Sequence, residues 1–272
     1  MRYHLHCWLL VAVMAWIILP VPVHGYEVGH RSVTWTDPDR SRNIGLHIYY
    51  PADTAGDNVP VAAGTFPVLV FGHGFLIVYS SYEFLWNGAV PAGYIVALPT
   101  TEGGLSPNHG EFGLDLAFLC DEFQDVNLDP GSPFYQHVAP GTAVMGHSMG
   151  GGASFLAVAD STAVTALVNF AAAETNPSAI GAAASIVLPS LLLAGTEDCV
   201  TPPEDHQIPM YNALISDCKT LVTLTGASHC QYAGNNGTCV LGEIFAGCSA
   251  AIPLETQETR TLDLLLPWLD YT

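Results

Sequence analysis

Ser148, Asp198 and His229 stand in the chain order of a nucleophile, an orienting acid and a base. A serine hydroxyl attacks an acyl carbon only when a histidine takes its proton and a carboxylate holds that histidine in place. Ser148 lies in Gly146-His147-Ser148-Met149-Gly150-Gly151, a G-x-S-x-G pattern between the apolar Thr142-Ala143-Val144-Met145 and a stretch of small residues over 151–158. Glycines on both sides of the serine allow a sharp turn from strand to helix, with the hydroxyl at its tip. A glycine-rich turn that merely contains a serine is the plain alternative.

The partners decide between the two. Asp198 follows the apolar run 191–194, and His229 follows the run 220–224. Serine, acid and base thus each come after a strand, in the order of a doubly wound hydrolase. Glu197 is the immediate rival to Asp198, which could instead cap the helix after it. His206 is expected to begin a surface helix and His147 sits inside the turn, so His229 is the base.

A tetrahedral oxyanion needs two backbone N–H groups. Met149, next to the serine, supplies one, and Phe75 in Gly72-His73-Gly74-Phe75 supplies the other. Phe75, His147 and Phe170 are the candidate substrate contacts, and His73 a hydrogen-bonded support. Asp115 and His109 fall near the mouth of the sheet by sequence order, where a solvated helix start would account for them equally well. Trp86, Tyr79 and Tyr82 would serve an aromatic subsite or, more simply, the core.

These residues need a frame, and the hydropathy pattern supplies one. Two antiparallel strands are expected over 28–35 and 44–50, with a polar turn over 53–65. Apolar strands over 68–71, 94–98, 143–146, 164–170, 191–194 and 220–224 then alternate with helices over 82–90, 112–123 and 151–158, and a last helix over 259–269. Continuous apolar runs between helices indicate a mostly parallel, doubly wound sheet covered on both faces. The stretch between 170 and 191 is too short for a large lid domain, so an open surface cleft is expected.

The first 25 residues read as a secretory signal peptide: Arg2, an apolar run over 7–19 and turn-forming residues up to Gly25. The run is short for a bilayer span, so cleavage is expected over stable membrane insertion. Residues 26–272 then form a single catalytic domain, secreted to the periplasm or the exterior. The net charge of −19 excludes nucleic acid and anionic membranes as partners. Seven cysteines, six of them after residue 25, point to disulfides in an oxidising compartment, since no C-x-x-C pair suggests a metal. The pairing is open; Cys199–Cys218 and Cys239–Cys248 are favoured, with Cys120 and Cys230 unassigned. Asn236-Gly237-Thr238 matches a glycosylation sequon.

Taken together, 72–75, 146–151, the Asp198 turn with Pro202, and 226–229 resemble an α/β hydrolase of the bacterial cutinase and polyester-hydrolase type, related to chlorophyllase-like and dienelactone-hydrolase-like esterases. The resemblance implies hydrolysis of carboxylic esters without a cofactor, polymeric esters such as cutin and poly(ethylene terephthalate) included; a monomer without a metal is expected. Two stretches depart from it. Polyester hydrolases usually carry a tryptophan just after the strand that follows the serine, and Asn169-Phe170-Ala171-Ala172-Ala173-Glu174 has none. The cysteine-rich segment 230–248 is the other, expected to form a loop beside His229. A short-chain esterase or lipase without polymer activity, a serine peptidase, and a binding module that has lost catalysis are the alternatives.

Overall fold

The computed structural model describes residues 25–234 and 236–272. All but the last residue of the expected signal peptide lie outside the described residues. Nine strands form one sheet: β1 (Glu27–Asp37), β2 (Arg42–Ala52), β3 (Gly56–Asp57), β4 (Phe66–Gly72), β5 (Ile95–Pro99), β6 (Val138–His147), β7 (Val164–Phe170), β8 (Ser190–Gly195) and β9 (Lys219–Leu224). Their spatial order is β3-β1-β2-β5-β4-β6-β7-β8-β9. The six strands β5-β4-β6-β7-β8-β9 are mutually parallel, while β1–β2 and β2–β5 are antiparallel. The fold is that of an α/β hydrolase.

Seven helices accompany the sheet: α1 (Glu83–Ala89), α2 (His109–Val126), α3 (Met149–Ala157), α4 (Ala179–Ala183), α5 (Gln207–Ala213), α6 (Gly237–Ala246) and α7 (Leu254–Tyr271). Side chains alternate across a strand, so a continuous apolar run feeds two cores at once. Val68 and Val70 of β4 pack under α2 and α3, while Leu69 and Phe71 pack under α1 and α7. Val96 and Leu98 against Ile95 and Ala97 of β5, and Leu191 and Leu193 against Leu192 of β8, divide in the same way.

Both favoured disulfides are corrected by this frame. The bonds are Cys199–Cys248 and Cys230–Cys239, and Cys120 and Cys218 are free. Cys199 follows the end of β8, whereas Cys218 precedes the start of β9. Because the strands run parallel, with Ser190 beside Lys219 and Gly195 beside Leu224, the two cysteines sit at opposite ends of the sheet. Cys239 lies in the first turn of α6 and Cys248 two residues past its end, and the helical stretch between them spans on the order of 10 Å, beyond the reach of a disulfide. The expected loop over 230–248 is instead a 3₁₀ turn, Cys230–Ala233, followed by α6. Asn236 of the sequon caps α6, its Oδ1 accepting from Cys239 N.

Asp115 is not at a solvated helix start. Its carboxylate is wholly buried on α2 and meets two arginines of the β1–β2 hairpin. Arg42 binds it through Nε and Nη2, both at 2.7 Å, and Arg40 Nη2 lies 2.8 Å away. Arg40 also reaches Asp37 and Glu111, and Arg42 reaches Glu102. Removing one partner of a buried pair strands the other, at about 3–5 kcal/mol, less where the arginines retain some solvent. Asp115→Asn is therefore expected to lower the unfolding free energy by about 3 kcal/mol in urea titrations. A loss below 1 kcal/mol would reduce the cluster to surface decoration.

Candidate active site

The loops that carry the candidate residues all leave the carboxyl ends of parallel strands, where open α/β sheets form their sites. Phe75 follows β4, Ser148 follows β6, Asp198 follows β8 and His229 follows β9. The turn at Ser148 is sharp: its φ is 54° and ψ −120°, a region that non-glycine residues seldom occupy. Three backbone bonds hold it there. Ser148 N donates to Phe170 O at 3.1 Å, and Ser148 O accepts from Gly152 N and Ala173 N.

Glycine is obligatory on both flanks. A Cβ on Gly146 would lie 2.3 Å from the Gly150 backbone, and one on Gly150 would lie 2.1 Å from Gly72 O. The start of α3 thus packs backbone to backbone against the end of β4. That contact brings the Gly72–Phe75 loop beside Met149, the first residue of α3.

The structure brings Asp198 and His229 together. Asp198 Oδ2 accepts from His229 Nδ1 at 2.9 Å, and both side chains are buried. Asp198 Oδ1 accepts from the backbone N–H groups of Val200 and Thr201, at 3.0 and 2.8 Å. Glu197, the rival acid, turns toward Thr196 at the surface. Ser148 and His229 line one cleft of about 260 Å³ with Phe75, Leu76, Ile77, Val200, Thr238, Cys239 and Gly242. No hydrogen bond joins Ser148 to His229, a contact that substrate commonly tightens in such sites. A larger polar hollow of about 510 Å³, between α1 and α7, contains neither residue.

Two candidate substrate contacts are corrected. Phe170 ends β7 with its ring fully buried, stacked on Tyr232 at 5.5 Å and near Phe71 at 5.7 Å, so it belongs to the core. His147 is also fully buried, beneath the turn. Tyr82, likewise buried, accepts from Gly74 N at 2.8 Å and lies 3.0 Å from His147 Nδ1. With the phenol donating to Nδ1, the His147 proton sits on Nε2, which has no hydrogen-bond partner. Phe75 does line the cleft and is 47% exposed. His73 lies between Gly74 O and Thr101 O, and His109 Nδ1 accepts from Asn176 N, away from the cleft.

Thr201 and Gln207 are residues the sequence pattern does not mark. Thr201 Oγ1 lies 3.0 Å from His229 Nδ1, 2.9 Å from Asp198 Oδ2 and 3.1 Å from Ala171 O. Gln207 Nε2 in turn donates to Thr201 Oγ1 and to Ala172 O. The hydroxyl thus shares the imidazole N–H with the carboxylate and ties both to β7. Its signal in the sequence was only a small polar residue three positions after the acid. Thr201→Val is expected to lower kcat for a soluble ester about tenfold with KM little changed, the size of one charge-assisted hydrogen bond. Thr201→Ser should restore most of it; a serine variant as slow as valine would tie the effect to packing.

The buried His147 makes a second outcome measurable. Burial first, then the neighbouring His229, holds its imidazole well below the ordinary value of 6.5. The unfolded chain therefore binds a proton that the folded chain refuses, and stability is complete above about pH 6.5 and lost below it. The melting temperature is expected to fall between pH 7 and 5, and to fall less steeply in His147→Gln. Equal slopes in the two proteins would place the acid sensitivity elsewhere.

A family model for PET hydrolase-like proteins matches residues 28–246, most of the chain. The chain belongs to that family, and with it to the ester hydrolases built on the α/β-hydrolase fold.

Proposed function

We propose that this member of the PET hydrolase-like family is a secreted, monomeric serine esterase of the cutinase type, which cleaves carboxylic esters through an acyl-enzyme. The carrying observation is the cleft in which Ser148 opens beside His229, itself bound to Asp198 at 2.9 Å.

His229 Nε2 takes the Ser148 proton as Oγ attacks the ester carbonyl carbon. The carbonyl oxygen becomes an oxyanion facing the N–H groups of Met149 and Phe75, and the positive end of the α3 helix adds to their field. The imidazolium is stabilised through Nδ1 by Asp198, which stays ionised. Collapse of the intermediate breaks the bond to the alcohol, and that oxygen leaves with the proton from Nε2. Water then enters, gives a proton to His229 and attacks the acyl carbon. Breakage of the acyl–Oγ bond returns the proton to Ser148 and frees the acid.

Polymer hydrolysis is part of the proposal, supported by the shape of the cleft. A second hollow of about 470 Å³, lined by His73, Leu76, Ile77, Val78, Tyr79, Thr100, Gly103 and Gly104, shares the Leu76–Ile77 wall with the first. An extended chain could occupy both. No tryptophan is among the residues that line either hollow, and the rings offered to substrate there are Phe75 in the first and Tyr79 in the second.

Hydrolysis of p-nitrophenyl butyrate by residues 26–272 tests the reading. Ser148→Ala is expected to lower kcat at least 10³-fold while leaving the melting temperature unchanged. Equal rates in the two proteins would mean that Ser148 is not the nucleophile, and no activity in either would favour a binding module.

A further inference from the structure

Helix α6 is inside out. A surface helix ordinarily turns its apolar stripe inward and its charges to water. Here the one ionisable residue, Glu243, is 4% exposed and accepts from Cys230 N at 2.8 Å. The large apolar side chains face solvent instead: Leu241 is 54%, Ile244 60% and Phe245 87% exposed. Glu243 is also the only Asp, Glu, Lys, Arg or His between 230 and 254, in a chain whose net charge is −19.

Two disulfides hold the helix in this orientation. Cys230–Cys239 ties its first turn to the residue after His229, and Cys248–Cys199 ties its far end to the residue after Asp198. The apolar face is displayed permanently rather than by a moving lid. It is also continuous with the cleft, whose wall includes Thr238, Cys239 and Gly242, and whose rim includes the half-exposed Val200 and Phe75.

We propose that the outer face of α6 is an adsorption platform for the surface of a water-insoluble, uncharged polyester, holding the cleft against the solid. The proposal rests on the esterase reading above and names the physical state of its substrate. The occupant must be apolar, because Leu241, Ile244 and Phe245 offer it no hydrogen bond. It must lack negative charge, because the chain is acidic and the platform carries no cation. It must also leave the cleft mouth in contact with ester, which a second copy of this chain seated on α6 would not.

The test uses the oxidised protein in two forms. Adsorption isotherms on amorphous poly(ethylene terephthalate) particles are measured in a Ser148→Ala background, with and without Leu241→Ser, Ile244→Ser and Phe245→Ser together. The triple variant is expected to adsorb at least tenfold more weakly, whereas Leu128→Ser, an exposed apolar position near the opposite end of the sheet, should not change adsorption. With Ser148 intact, the triple variant should turn over p-nitrophenyl butyrate within twofold of the parent. Unchanged adsorption would overturn the platform, as would stronger binding to phosphatidylcholine vesicles than to polyester. So would a dimer in sedimentation that the triple variant abolishes. Loss of soluble turnover in the parent would instead strike the esterase reading, and the isotherms would still report on α6.

Discussion

The backbone contact between Gly150 and Gly72 is the constraint on which the site depends. No side chain of any size fits there, since a Cβ on Gly150 would overlap Gly72 O. The contact joins the carboxyl ends of two neighbouring strands, β4 and β6, to the start of α3. The proposed oxyanion donors come from its two sides, Phe75 and Met149. Parallel pairing sets the height of these loops to within a residue, with Gly72 beside Gly146.

The proposed acid and base, Asp198 and His229, depend on a different kind of constraint. Their loops follow β8 and β9, at the sheet edge, where only one neighbour steadies the outer strand. Each proposed residue is followed directly by a half-cystine, and both cystines lead to the segment around α6. Closing loops of 49 and 9 residues removes chain entropy worth about 4 and 2.5 kcal/mol in the unfolded state. Thr201 then does at the scale of one hydroxyl what the cystines do for the loops. It links Asp198, His229 and the β7 backbone in one buried network, and Gln207 fills its remaining valence.

Local signals in the chain were faithful wherever local physics governs. Apolar runs mark the inner parallel strands β4 to β8, because a strand buried on both faces has no polar alternation to confuse with a loop, whereas β9 at the edge is half-exposed. The G-x-S-x-G turn was legible for the same reason that glycine is obligatory in it. Long-range placement was not legible. Phe170 is a candidate substrate contact by its place after the serine turn, yet strand alternation sends its ring to the core beside Phe71 and Tyr232. Disulfide pairing does not follow from proximity in sequence, because parallel strands separate the start of one from the end of its neighbour. The burial of Asp115 is not legible in the sequence, because only the fold brings two arginines from a distant hairpin onto α2. The outward apolar face of α6 follows from where the cystines pin the helix, which spacing alone does not encode.

The strained features of the molecule gather at one point. Ser148 at φ 54° costs about 1–3 kcal/mol, and an unpartnered buried donor such as His147 Nε2 costs about the same again. Neither would persist in an isolated turn. They persist because Phe170 O, Ala173 N and Gly152 N fix the serine backbone from three elements, while Tyr82 fixes His147 from a fourth. The Tyr82 hydroxyl also accepts from Gly74, so the bond that tethers the buried imidazole steadies the Gly72–Phe75 loop as well. The turn at Ser148 and the loop of the proposed oxyanion donor are therefore one structural unit. A substitution at Tyr82 should loosen both together, which makes the buried aromatic beneath the site as consequential for chemistry as the residues that face the cleft.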